Sequence, residues 1–190
     1  MRPIISFMHI SLDGFVAGPA GEMNWITINE AIFEHVGRRI GLCDMALYGR
    51  TTYQMMEGYW PTAADKPNAS EHDRRHSAWY KTVNKVVLST TLTQPERTGV
   101  RVIASNLVEQ LTDIKRQAGS EILLFGSPRA THALIQAGLI DGYWLFVNPV
   151  VLGKGIPLFG HVPERQKLKR TSMHAFESGV TELGFVVERT

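Results

Sequence analysis

"ILLFGSPRATHALIQAGLIDGYWLFVNPVVLGKGIPLF", residues 122–159, places an apolar run, a Gly-Ser-Pro break, a helical pattern and a second apolar run in one short segment. Read in order, that is strand, helix, strand, the βαβ unit of an α/β sheet. The break from Gly126 to Arg129 then puts backbone N–H groups at the start of a helix, beyond the carboxyl end of a strand, where an anion is well received. The spacing predicts strands over 122–125 and 143–147 and a helix over 128–137. Ser127 is a preferred N-cap, Pro128 suits the first helical position, and Gly138 falls where a left-handed C-terminal cap is wanted. Ala130, Ala133, Leu134 and Ala137 form the face expected to lie close on the sheet.

Upstream, residues 4–10 are a nearly unbroken apolar run ended by "SLDG", a strand buried on both faces and then a turn. "GFVAGPAGEMNW" follows, with three glycines and one proline, and reads as a loop without regular structure. Ile28, Ile32, Val36 and Ile40, with Phe33 beside them, mark a helix over 28–40. "DMALYGRTTYQMM" gives a second strand over 45–48, a break, and a helix whose first turn carries Arg50, Thr51 and Thr52. "SEHDRRHSAWYK" is expected to form a short helix capped by Ser70. "KVVLSTTL" is a third apolar strand running into hydroxyls at Ser89, Thr90 and Thr91, and Leu107, Leu111 and Ile114 mark another helix. The tail, split by "ESG", reads as an antiparallel hairpin closing the sheet. The expectation is one α/β domain over residues 1–190 with a mixed sheet.

Composition narrows the function. With 44% hydrophobic residues the chain can fill one core, and 20 basic against 18 acidic residues leave no surplus to attract nucleic acid or an anionic membrane. No run approaches the roughly 20 apolar residues of a membrane helix. The single cysteine, Cys43, excludes an internal disulfide and fits a cytoplasmic protein. The apolar opening is interrupted by His9 and Asp13 and reads as a first strand rather than an export signal.

Three strand-to-helix breaks carry donors suited to phosphate: Arg50 with Thr51 and Thr52, Ser89 with Thr90, and Ser127 with Arg129. Any one of them is explained by ordinary capping. Together, on one sheet edge, they would suit a dinucleotide.

Asp13-Gly14, "MNW" at residues 23–25, "GRTTY", "VVLST", and "LFG" leading into "GLIDGYWLFVNPVVLGKGIPLF" resemble the dihydrofolate reductase superfamily. More narrowly, they resemble its branch of bacterial riboflavin-biosynthesis reductase domains and stand-alone reductase-like proteins. The resemblance implies a three-layer fold, a mostly parallel central sheet flanked by helices and ended by an antiparallel hairpin. It also implies an NADPH-dependent reductase acting on a small heteroaromatic or imine-like substrate, and a homodimer. Its matched positions assign Gly49, Arg50, Thr51 and Thr52 to the cofactor phosphates. Leu88, Ser89 and Thr90 fall beside the adenosine and its 2′-phosphate, and Phe125, Gly126, Ser127, Pro128, Arg129, Ala130 and Thr131 on the pyrophosphate helix. His9, Val16 and Ala17 frame the nicotinamide, and Trp25, Phe33 and Val147 face substrate. Two departures stand out: Ser127 replaces the second glycine of a family Gly-Gly pair, and Val83 stands where folate reductases carry an arginine, which argues against folate.

Hydride transfer to a C=N bond also needs a proton. Glu30, spaced from Trp25 as the acid of folate reductases is, and Asp13 are the candidates, though an exposed acid at a helix start is the plainer reading of Glu30 and an Asp-Gly turn explains Asp13 at least as well. His72 and His76 are four apart, within reach of one metal ion, but the plainer expectation is a solvated helix face. A dinucleotide-binding protein without turnover, and a riboflavin-pathway pyrimidine reductase, remain open beside the general reductase reading.

Overall fold

The computed structural model describes residues 1–93, 99–160 and 162–189. Among the described residues fifteen elements follow in chain order: β1 (Ile4–Ser11), β2 (Phe15–Ala17), α1 (Glu30–Ile40), β3 (Met45–Gly49), α2 (Arg50–Ala63), α3 (Glu71–Thr82), β4 (Asn84–Leu88), β5 (Val100–Ile103), α4 (Leu107–Arg116), β6 (Ile122–Phe125), α5 (Pro128–Gln136), β7 (Gly142–Asn148), β8 (Ile156–Pro157), β9 (Lys167–Ala175) and β10 (Thr181–Glu188). The fold is α/β, with a mostly parallel mixed sheet flanked by helices.

The chain divides into two compact units, Met1–Arg2 with Ile28–Leu123, and Pro3–Thr27 with Leu124–Thr190. In the first, the strand order is β5-β4-β3 and on to the start of β6, with β3, β4 and β5 parallel. Ala46, Leu47, Tyr48, Val86 and Val87 are almost wholly buried there, which is why these strands read as continuous apolar runs. Arg2, itself buried, pairs with Asp44 and donates to the Ser120 carbonyl. The second unit runs from the end of β6 through β1, β7, β10 and β9; β1 and β7 are parallel, and β10 is antiparallel to both neighbours. The expected terminal hairpin is β9 and β10.

Local chemistry explains most boundaries. In α3, Ser70 accepts from Asp73 N while the Asp73 carboxylate accepts from Ser70 N, a capping box in which aspartate replaces the usual glutamate. Asn29 caps α1, so the helix starts at Glu30 and leaves Ile28 outside it, two residues later than the periodicity predicts. Gly138 follows α5 with φ +65°, the left-handed conformation expected of a C-terminal cap.

Four expectations need correction. The loop after β1 contains a strand, β2, paired with β8 about 140 residues away, a long-range partner that no local pattern announces. Ser127 holds the N-cap position of α5 but makes no side-chain cap bond. It is held at φ 61°, ψ 63°, and its hydroxyl donates backward to Phe125 O at 2.9 Å. The face α5 buries is Ala130, Thr131, Leu134 and Ile135, rotated from the alanine stripe, because Ile135 offers more apolar area than Ala133. His72 and His76 are not on a solvated face: His72 stacks on Phe33 with centroids 3.9 Å apart, and buried His76 lies 3.9 Å from the Trp60 ring.

Candidate functional site

In the first unit the strand-to-helix break is abrupt: β3 ends at Gly49 and α2 starts at Arg50. Gly49 supplies no side-chain cap, so the first-turn N–H groups of α2 have none. The start of α4 lacks a side-chain cap too, so an uncapped helix identifies nothing by itself. What distinguishes α2 is its surroundings. Gly49 is the register partner of Leu88, which brings the turn after β4 beside the helix start. Exposed Arg50 reaches that turn, and its Nη1 donates to Thr91 Oγ1 at 2.6 Å. Ser89 Oγ accepts from Thr91 N at 3.2 Å and Leu92 N at 3.0 Å, and lies 3.5 Å from Thr91 Oγ1. Thr51 and Thr90 are exposed on the same rim and Thr52 is half-buried. A guanidinium, hydroxyl groups and a helix start thus share one strand end. Thr91 was not among the predicted cofactor contacts; the hydroxyl run "STT" was its only signal.

Glu30 is exposed in the first turn of α1, and Phe33, one turn on, is half-buried in its stack with His72. Burial lowers the pKa of His72, with Asp73 opposing, and lowers that of His76 to about 3, so His76 is an uncharged ring at neutral pH. Among the described residues no third ligand joins them to form a metal site. Val83 is buried at the end of α3. A cleft of about 840 Å³, lined in part by Glu57, Lys81 and Lys85, lies at the opposite, amino end of β4 from Ser89.

In the second unit, β6 ends at Phe125 and Gly126 N donates to Phe7 O on β1 at 3.0 Å. Gly126 (φ 50°) and Ser127 are both left-handed, and Pro128 occupies the first helical position of α5. Exposed Arg129 follows; Ala130 and Thr131 are buried, and the Thr131 hydroxyl is turned back toward Gly126 O. At the neighbouring strand end His9 stacks on Phe146 with centroids 5.0 Å apart, its Nδ1 buried without a hydrogen-bond partner. Burial lowers its pKa to about 4, so this imidazole is neutral. Val16 and Ala17 are buried on β2, and half-buried Val147 pairs with Ile10 and Thr181. Half-buried Trp25 donates to Glu22 O at 3.2 Å.

Asp13 is exposed and fully engaged. It accepts from Ser11 Oγ at 2.6 Å, Gly153 N at 2.8 Å and Leu152 N at 3.1 Å. The Ser11 hydroxyl, helped by those two amides, holds its carboxyl below the usual carboxylate range. Its visible work is to pin the loop that carries Lys154. His132 fixes the same segment further on, with Nε2 2.9 Å from Pro157 O and 3.0 Å from Leu158 O.

This arrangement can be set beside known proteins. The family model described as the RibD C-terminal domain matches residues 2–181. The chain belongs to the RibD C-terminal domain family. It is 31% identical over 185 residues to the uncharacterized protein YyaP of Bacillus subtilis (strain 168), covering 96% of this chain and 93% of that one. A putative riboflavin biosynthesis protein from Shewanella sp. PV-4 superposes with a TM-score of 0.75 at 20% identity, over 99% of this chain and all of the other. A deaminase/reductase of Thermotoga maritima, 5-amino-6-(5-phosphoribosylamino)uracil reductase by name, superposes with a TM-score of 0.66 at 14% identity, over 98% of this chain but 57% of that one. These likenesses establish the fold, an α/β domain with a mostly parallel mixed sheet flanked by helices, shared with the RibD C-terminal domain family. Among the described residues no helix is long and apolar enough to cross a membrane.

Proposed function

We propose that this RibD-type domain is an NADPH-dependent reductase of a small heteroaromatic or imine-like compound, a pterin, a pyrimidine or a similar ring. The observation that carries the reading is the Arg50–Thr91–Ser89 cluster beside the start of α2. A fixed guanidinium with adjacent hydroxyls suits the dianionic 2′-phosphate that separates NADPH from NADH. On the second unit, the Gly126 to Thr131 turn and helix start suit a pyrophosphate, and neutral His9 with the β2 backbone suits an uncharged nicotinamide ring. The bound cofactor would supply the hydride. The protein's part is to hold, orient and shield, which can account for much of a rate enhancement. Glu30, exposed in the first turn of α1, the helix that carries Phe33, is the assigned proton donor; Asp13, engaged with Ser11, Leu152 and Gly153, is assigned to hold the loop.

That engagement of Asp13 also favours a second reading, a dinucleotide-binding protein without efficient turnover. A riboflavin-pathway pyrimidine reductase is the specific form that the names of the structural relatives favour. In each form the protein is proposed to act as a homodimer in the cytoplasm.

Thermal shift with NADPH, NADH and 2′,5′-ADP tests the cofactor reading. Ligand at a hundredfold over its dissociation constant adds about 2.7 kcal/mol of stability, and NADPH and 2′,5′-ADP should shift the melting point where NADH at equal concentration shifts it less. No shift with any of them refutes the reading. NADPH oxidation across pterins, pyrimidines and quinonoid compounds, with the ribosylaminopyrimidine intermediate included, then separates reductase from binding protein.

A further inference from the structure

Asn148, at the carboxyl end of β7, is fully buried, and its amide is used in both senses. Nδ2 donates to Phe146 O at 3.1 Å and to Ile10 O at 3.4 Å, which fixes the amide to β7 and β1. Oδ1 accepts from Thr27 N at 2.8 Å. Thr27 closes the segment 18–27, whose other end is held by the pairing of β2 with β8. Inside that segment Gly18 N donates to Glu22 O, Ala20 N to the Glu22 carboxylate, Trp25 Nε1 to Glu22 O, and Ile26 N to Met23 O. The segment is therefore a set of linked turns, and Thr27 is the bond that ties its far end to the sheet.

We propose that Asn148 is a positioning residue that fixes the 18–27 segment and, through it, the placement of the Trp25 indole against a substrate. The asparagine amide supplies both the donors and the acceptor that these three bonds need; aspartate lacks the donors for Phe146 O and Ile10 O, and serine has only one. The functional half of this rests on the reductase reading; the mechanical half does not.

Amide exchange resolved to single residues in the full chain, without ligand, tests the mechanical half. Asn148→Leu should speed exchange at Thr27 about five- to thirtyfold, the factor expected for one or two kcal/mol, while Met8 and Leu145, in the centres of β1 and β7, change less than twofold. Asn148→Asp keeps an acceptor and should hold Thr27 slower than Asn148→Leu does. Should Asn148→Leu not fold, Thr27→Pro removes the same bond from the other side and should loosen Trp25 and Ile26 with the strands unchanged. Unchanged exchange at Thr27, or acceleration shared equally with Met8 and Leu145, overturns the proposal. In turnover assays the loss in Asn148→Asp should fall on the substrate KM, with NADPH affinity within threefold of wild type. Failure of NADPH to bind the wild-type chain would sink the reductase reading and leave the exchange result standing.

Discussion

Replacing Arg50 by alanine is the sharpest perturbation of the proposed cofactor site. The guanidinium is exposed, and one of its N–H groups is held by Thr91 Oγ1 at 2.6 Å, which leaves the rest of the fork pre-aligned for a phosphate. A hydrogen bond to a charged group contributes about 1.5 to 3 kcal/mol. Solvent and salt reduce that at an exposed position, so the lower half of the range applies. Since about 1.4 kcal/mol is tenfold in affinity, Arg50→Ala should weaken NADPH about ten- to thirtyfold. NADH, lacking the 2′-phosphate, should lose less than twofold. Isothermal titration at 50 and 500 mM salt reads both the preference and its electrostatic origin, because the NADPH loss must shrink at the higher concentration. Arg50→Lys keeps the charge without the fork and should fall between wild type and alanine. Equal losses for the two cofactors, or an NADPH loss indifferent to salt, would refute the role given to Arg50.

Three further outcomes are expected. His9 and His76 have folded-state pKa values of about 4 and about 3 against an ordinary 6.5, so as pH falls the unfolded chain takes up these protons first. Their contribution is intact above about pH 6.5 and falls below it at about 1.4 kcal/mol per pH unit for each histidine, His9 down to about pH 4 and His76 down to about pH 3; urea unfolding across pH 7 to 4.5 should show the fall, and His76→Phe should roughly halve its slope. Ser127→Val puts a β-branched residue at φ 61° and removes the bond to Phe125 O, and should cost about 2 kcal/mol in urea unfolding, whereas Ser127→Gly stays within about 1 kcal/mol of wild type. A valine variant as stable as wild type would contradict the left-handed conformation. Asp13→Asn should speed amide exchange at Leu152 and Gly153 and spare NADPH binding; turnover abolished with that loop unmoved would make Asp13 a catalytic acid after all.

How far the sequence disclosed this molecule depended on where the determining contact lay. Apolar runs such as "MALYG" and "ILLF" predict strands because a strand buried on both faces can hold little else, and β3 and β6 are buried along nearly their whole length. The Ser70 cap and the Gly138 turn are equally local, each fixed by a few neighbouring residues, and both stand as expected. Ser127 shows the limit of that logic. A serine before a proline at a helix start has the composition of a cap, yet Gly126, bonded to Phe7 on another strand, sets a left-handed turn in which the hydroxyl points back along the chain. Local preference lost to a long-range backbone bond.

The candidate site divides along the same line. Arg50, Thr51 and Ser89 were legible because a strand-to-helix break exposes its chemistry in consecutive letters. Thr91 was hidden within a hydroxyl run until the Gly49–Leu88 register brought α2 to it. Asn148 was invisible: "VNP" looks like the end of a strand, and the bond that gives the asparagine a purpose ends 121 residues away at Thr27. Every residue of this kind is buried, polar and bonded to a distant backbone atom, and a pattern of hydrophobicity carries no signal for it. What such a residue does lies in the segment it ties down: Asn148 reaches the 18–27 turns through Thr27 N, a bond that the backbone path and not the local sequence creates.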